Sequence, residues 1–177
     1  MVNGYLSFCF MISSSWEKKG ELVGRINKAS DNPAELSEGT KLWIVCGPAH
    51  IHEILLRKIA PHVQPGSFVG TLYAQGGFDW MCKSVFGKRL ENENISIFGL
   101  YNIPWICKAT HYGERVRIIG PKEALYVAVE PKSKELECMH LMEELFDIPT
   151  ITISNFLTLT LTPSNQIIHP GRIYGVN

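Results

Sequence analysis

From residue 41 onward, short runs of apolar residues alternate with segments in which apolar residues recur every three or four positions. The run KLWIVC (41–46) is apolar after its first residue and stops at a Gly-Pro pair, which is typical of a strand buried on both faces. The next segment, AHIHEILLRKIAPHV, has the spacing of a helix, and Pro61 predicts where that helix ends. Two further strands are predicted over GSFVGTLY (66–73) and NISIFGLY (94–101), with a second helix, FDWMCKSVFGKRL, between them.

This alternation of strands and helices with short connections predicts βαβ units. Such units require parallel strands, right-handed crossovers and helices that cover the sheet. The predicted fold class is therefore α/β, with a doubly wound and mostly parallel sheet. The apolar residues that define the two helical faces are Ile51, Ile54, Leu55 and Ile59 in the first helix and Phe78, Met81, Cys82 and Val85 in the second.

The pattern changes after residue 101. RVRIIG (115–120) and ALYVAVE (124–130) predict two short strands separated by PKE, as an antiparallel addition to the sheet. KELECMHLMEELFD (134–147) predicts an amphipathic helix and TITIS (150–154) a last strand. The segment NFLTLTLT is ambiguous, because its alternating leucines favour a strand. The helix is expected to turn Leu136, Met139, Met142 and Leu145 to one side.

Residues 1–40 are harder to interpret. They are largely polar, and a short strand around Leu22–Ile26 is their strongest signal. An apolar stretch near the N-terminus, residues 5–12, lacks a basic flank and is too short to span a bilayer.

Charge and cysteine content narrow the function classes. Seventeen basic and 17 acidic residues give 177 residues a net charge of zero, so we expect neither nucleic acid nor a membrane as partner. Five cysteines without a CxxC pair indicate a reducing, cytoplasmic compartment. No metal site is predicted, since His50 and His52 are two positions apart and point to different faces of a helix.

The turns CGPAH, YAQGG and LYNIPWIC follow the three predicted parallel strands. Ligands of open parallel sheets bind at the carboxyl ends of strands, where glycine lets a backbone approach them closely. Each turn taken singly has a purely structural interpretation, since connections of this kind often contain Gly, Pro or Asn.

His169 precedes Pro170, and proline is favoured at the first position of a helix. The sequence therefore predicts that His169 lies at or near a helix N-cap, where the helix dipole would lower its pKa and favour the neutral imidazole. A neutral imidazole can accept a proton near pH 7. The alternative is that His169 only caps the helix or packs at its base.

Four segments, in this order and spacing, resemble the opine dehydrogenase family, the octopine dehydrogenase-like enzymes. They are VCGPAHIHEILLRKIAPHV, GTLYAQGGFDWMC, IPWICKATHYGERVRIIGPK and TLTPSNQIIHPGRIYG. The resemblance implies a Rossmann-like domain that binds NAD or NADP, joined to an all-helical domain. It also implies the reductive condensation of a 2-keto acid, typically pyruvate, with an amino acid.

The resemblance implies roles for individual residues. His169 matches the catalytic histidine, and Gly47, Pro48 and Ala49 match the turn that approaches the cofactor. It also implies a helix, not a strand, for the segment that leads to the histidine. The positions that match substrate-binding residues are Gln75, Asn102, Cys107 and Asn165.

The chain departs from the family at both ends. None of its 15 glycines forms the G-x-G-x-x-G turn that cradles a pyrophosphate. We therefore expect residues 1–40 to be an irregular remnant of the N-terminal Rossmann half. Residues 41–154 are expected to form an incomplete Rossmann-like domain and 155–177 the truncated start of the helical domain, giving a fragment with weak or no activity.

Two alternatives stay open. The chain could be a non-catalytic module that binds partners or self-associates through exposed sheet edges. It could also be a related NAD-dependent dehydrogenase of hydroxy acids or polyol phosphates, although the three turns carry few positive charges.

Overall fold

The computed structural model describes residues 26, 28–112, 114–161 and 170–175 in full, and the backbone alone of residues 7–8 and 165–169. The predicted strand at Leu22–Ile26 lies outside the described residues except for Ile26. The strands are β1 (Ser7–Phe8), β2 (Ala29–Ser30), β3 (Leu42–Val45), β4 (Phe68–Thr71), β5 (Ser96–Leu100), β6 (Trp105–His111), β7 (Arg115–Pro121), β8 (Leu125–Glu130) and β9 (Thr150–Thr152). The α-helices are α1 (His52–Ile59), α2 (Phe78–Phe86), α3 (Arg89–Asn92), α4 (Glu135–Phe146), α5 (Phe156–Thr160) and α6 (Asn165–Tyr174).

Five strands form the central sheet in the order β3-β4-β5-β8-β9. β3, β4 and β5 are parallel, β8 is antiparallel to β5, and β9 is parallel to β8. The predicted mostly parallel α/β sheet is confirmed. β8 is the antiparallel addition, as expected.

Helices cover both faces of this sheet because alternate strand residues point to opposite sides. Val69 and Ile97 join a core with residues of α1, α2 and α5, whereas Phe68 and Phe98 join a second core with α4. The continuous apolar runs of the sequence therefore supply two cores, one on each side.

The burial of two helices differs from the sequence-based expectation. Ile54 in α1 is 66% exposed and Leu136 in α4 is 67% exposed. The fully buried residues of α4 are Cys138 and Met142, and Phe146 is 4% exposed. An amphipathic pattern defines a helical stripe, but the rotation of the helix on the sheet decides which edge of the stripe is covered.

The predicted pairing near residue 120 is wrong in one respect. β7 does not pair with β8; it pairs antiparallel with β6, a strand that the sequence analysis missed, in a separate two-stranded sheet. Trp105 joins this hairpin to the body of the protein by packing edge-to-face on Phe146, with ring centroids 5.3 Å apart.

The ambiguous segment NFLTLTLT forms helix α5, as the family resemblance implied. The Asn155 side chain accepts a hydrogen bond from the Thr158 backbone N–H at 3.0 Å, which is an N-cap. Phe156 and Leu159, three positions apart, are buried, whereas Leu157 is 50% exposed. Burial of these two residues at helical spacing outweighs the alternation of leucine and threonine.

In the part of the chain that is described, no helix has the length and apolar character needed to cross a bilayer.

Candidate functional site

Three turns meet at one edge of the sheet, as predicted. The register pairs Val45 with Thr71 and Thr71 with Gly99, so β3, β4 and β5 end side by side. We call the segments that follow them turn one (46–50), turn two (72–77) and turn three (101–104). None of the three contains Asp, Glu, Lys or Arg.

Turn one is held from beneath by His52. Gly47, Pro48 and Ala49 are exposed, whereas His52 is only 1% exposed. The His52 Nε2 atom lies 2.9 Å from the Gly47 carbonyl oxygen, and it must be the donor because a carbonyl only accepts. The ring also packs edge-to-face on Phe78, with centroids 5.5 Å apart.

Burial lowers the pKa of His52 below its ordinary value of 6.5. The hydrogen bond to Gly47 opposes that change, and the charge of His50 adds to it. From the sequence, His52 was weighed only as a metal ligand, and this role was not predicted. Its position at the start of a helix, directly behind a Gly-Pro turn, was the available signal.

Turn two lies against both neighbours. The Ala74 N–H donates to the Leu100 carbonyl oxygen at 2.9 Å, and a Cβ built on Gly76 would lie 3.5 Å from Ala49 Cβ. Gly76 and Gly77 have φ values of +74° and +76°, which explains the Gly-Gly pair. Gln75 is 4% exposed, so the predicted substrate-facing amide is largely covered in this state.

Turn three carries Asn102, which is partly exposed. The turn is fixed to the sheet by Tyr101, whose N–H donates to the Tyr126 carbonyl oxygen at 2.9 Å and whose ring packs on that of Tyr126. Cys107 lies further on, in β6 of the hairpin, with its Sγ 3.8 Å from the Trp105 carbonyl oxygen. Cys107 is exposed, and partial desolvation of its sulfur raises the pKa of the thiol, which favours the protonated form.

The prediction that His169 lies at or near a helix N-cap is wrong. Helix α6 begins at Asn165, so His169 lies inside it and Pro170 interrupts its interior. A proline there removes one backbone hydrogen bond. The side chains of Asn165 and His169 lie outside the described residues, so their predicted roles remain untested.

The charged residue nearest turn two in sequence is engaged elsewhere. Asp79 is 6% exposed and lies 3.5 Å from Lys83, which also pairs with Glu130 at 2.7 Å. Among the described residues, no group of three or more His, Cys, Asp or Glu side chains could hold a metal ion. What the edge offers a ligand is backbone polar groups and neutral side chains.

This edge fits one half of a dinucleotide. The backbone of Gly47, Pro48 and Ala49 is exposed, and an uncharged surface suits a nicotinamide and its ribose. The described residues and the sequence hold no glycine-rich turn for a pyrophosphate. The fit is therefore limited to the nicotinamide half.

Several known proteins are similar to this chain in sequence. No family model matches the chain. An uncharacterised protein of Sinorhizobium fredii is 27% identical over 160 residues, covering 88% of this chain and 41% of the relative. Octopine dehydrogenase of Pecten maximus is 26% identical over 170 residues, covering 90% of this chain and 41% of that enzyme. Tauropine dehydrogenase of Arabella iricolor is 22% identical, covering 81% of this chain and 36% of that enzyme.

Solved structures agree on the fold. Octopine dehydrogenase with NADH and L-arginine superposes with a TM-score of 0.74 at 23% identity, covering 86% of this chain and 38% of that one. Yersinopine dehydrogenase reaches a TM-score of 0.55 at 18% identity, covering 71% of this chain and 30% of that one. The chain is thus a homologue of the opine and octopine dehydrogenases with their Rossmann-like fold, and it spans about 40% of the length of the curated relatives it matches.

Proposed function

We propose that this chain is the nicotinamide-binding part of an opine dehydrogenase-like oxidoreductase, which joins a 2-keto acid such as pyruvate to an amino acid by reduction. NADH or NADPH, when bound, supplies the hydride. The observation that carries the proposal is the meeting of three neutral turns at the carboxyl edge of β3, β4 and β5, in a chain homologous to octopine dehydrogenase.

The residues of this edge would bind and orient. Gly47, Pro48 and Ala49 present an exposed backbone for the cofactor's nicotinamide side. Asn102 offers a partly exposed amide donor for the oxygens of a keto acid, and Gln75, Cys107 and Asn165 would complete the substrate side. His169 would polarise the keto-acid carbonyl and move a proton at an imidazole nitrogen.

The test separates cofactor binding from substrate binding. We expect NADH to bind weakly, since no pyrophosphate turn is found, and pyruvate to bind in the presence of NADH. Saturation-transfer NMR on the 177-residue chain measures both. Gln75→Ala should abolish the pyruvate signal, while Gln64→Ala, an exposed glutamine outside the three turns, should leave it unchanged. Failure of the wild-type chain to bind NADH or NADPH would refute the proposal, and rapid turnover would refute the expectation of weak activity.

A second candidate is a non-catalytic module, and two observations favour it. The sequence lacks the glycine-rich turn, and the sheet ends at β3 among the described residues. An unpaired strand edge can pair with another chain.

A hydroxy-acid or polyol-phosphate dehydrogenase ranks third. D-Mandelate dehydrogenase shares the fold at a TM-score of 0.53 and 18% identity, covering 71% of this chain and 38% of that one. A phosphate-bearing substrate needs lysine or arginine in its pocket, and the three turns contain neither.

A further inference from the structure

His52 carries an energetic cost that its packing does not explain. Its Nδ1 atom is buried and has no hydrogen-bond partner among the described residues, while Nε2 donates to the Gly47 carbonyl. In a neutral imidazole with the proton on Nε2, the other nitrogen holds a lone pair that needs a donor. Burying that lone pair unpaired is unfavourable, so an apolar side chain of similar shape would suit this core position better.

Its one polar contact falls on the candidate site. The Gly47 carbonyl lies within turn one, and the N–H of Ile51, the residue directly after that turn, donates to the Pro48 carbonyl oxygen at 3.0 Å. The imidazole also touches Phe78, the first residue of α2 and the residue that directly follows turn two. The buried His52 ring therefore contacts a carbonyl of turn one and the residue that directly follows turn two.

We propose that His52 is a positioning residue of the cofactor edge, which holds the Gly47 carbonyl and thereby sets the path of Gly47–Ala49. The cofactor named in this inference rests on the proposed function, whereas the contacts of His52 follow from the fold alone. Costly buried polar groups occur where a site needs a fixed backbone more than it needs stability.

Two variants separate the hydrogen bond from the packing. His52→Gln places an amide donor at the same number of bonds from Cβ as the histidine Nε2. His52→Met has a chain of the same length as glutamine but carries no donor. We expect His52→Met to melt at or above the wild-type temperature, because the orphaned lone pair is gone. In the same variant the amides of residues 49–52 should exchange faster, and NADH should bind about tenfold more weakly, as expected for the loss of one positioning hydrogen bond. His52→Gln should restore both local exchange and NADH affinity.

Each outcome decides something. Faster exchange confined to turn one in His52→Met, with rescue by His52→Gln, supports the positioning role. Equal behaviour of the two variants, or a loss of protection that only follows a lower melting temperature, overturns it and leaves His52 as a core residue. If NADH binds equally to wild type and His52→Met, the positioning role fails and the proposed function survives. If the wild-type chain binds no nicotinamide cofactor, the proposed function fails, and the cofactor role of His52 with it.

Discussion

At the residue scale, a few close contacts at the carboxyl edge of the sheet hold the candidate site in place. Gly99 in β5 is one of them, because Ala74 of turn two and Phe156 of α5 pack directly on its backbone. His52 is another, since it reaches the Gly47 carbonyl from within the core. These contacts connect the candidate site to the core that contains residues of α1, α2 and α5, so substitutions there should affect stability and site geometry together.

Gly99→Ala should destabilise the fold by about 1–3 kcal/mol, because overpacking forces neighbours apart. The added Cβ would collide with Ala74 Cβ and lie 2.9 Å from Phe156 Cε1. Urea denaturation measures the change in the free energy of unfolding. Gly120→Ala in β7 is the matched control, since its Cβ would meet nothing within 4 Å and should cost little. Equal midpoints for the two variants would contradict the packing described for α5.

Stability should also depend on pH through His52. Because burial lowers the pKa of folded His52, the unfolded chain binds the proton more readily. The free energy of unfolding should therefore fall as pH drops through the ordinary value of 6.5, and be fully present above it. His52→Gln cannot titrate and should lose this part of the slope. Identical pH profiles for wild type and His52→Gln, followed by thermal melting, would contradict a depressed pKa.

At the element scale, ends of helices are fixed by side chains that the periodicity of the sequence does not reveal. Asn155 caps α5 and makes a helix of a segment with strand-like alternation. Arg89 of α3 caps the end of α1 and its 3₁₀ extension, donating to the carbonyl oxygens of Ala60 at 2.7 Å and Val63 at 3.1 Å. The Arg89 cap connects elements that lie 26 to 29 residues apart in the chain.

Arg89→Met should lower the free energy of unfolding by about 1–2 kcal/mol, since two carbonyl oxygens lose their donor at a partly exposed site. Arg57→Met is the control. Arg57 pairs with Glu53 at 2.6 Å on the surface of α1, with 59% and 49% of the two side chains exposed, so its loss should cost about 0–0.5 kcal/mol. Arg89 also forms an ion pair with Glu93, with Nε 2.6 Å from Oε1. Comparable costs in chemical denaturation would show that Arg89 acts only through this pair.

At the scale of the whole molecule, the described residues leave strand edges and apolar side chains in solvent. β3 is an edge of the main sheet, and both strands of the β6–β7 hairpin have a free outer edge in the part of the chain that is described. Ile119 on the hairpin is 64% exposed. Exposed strand edges favour association between chains. Such association would be the function of the chain if it is a non-catalytic module.

We predict concentration-dependent self-association, and expect Ile119→Lys to reduce it, because an exposed lysine on an edge strand blocks pairing. Light scattering and analytical ultracentrifugation would measure it. Leu136→Lys is the control, since Leu136 on α4 is 67% exposed but is not on a strand edge. A wild-type chain that stays monomeric with a cooperative melt would contradict the prediction and weaken the non-catalytic alternative.

The sequence alone determined the parallel core and the meeting of the three turns. Uninterrupted apolar runs that stop at Gly or Pro are typical of strands in a sheet that is covered on both faces. The carboxyl ends of parallel strands lie at the same edge of a sheet. Tertiary structure alone decided the partner of β7, the interior position of His169 and the buried place of His52. Strand pairing and burial depend on groups distant in the chain, and no local periodicity encodes which of those groups packs at a given position.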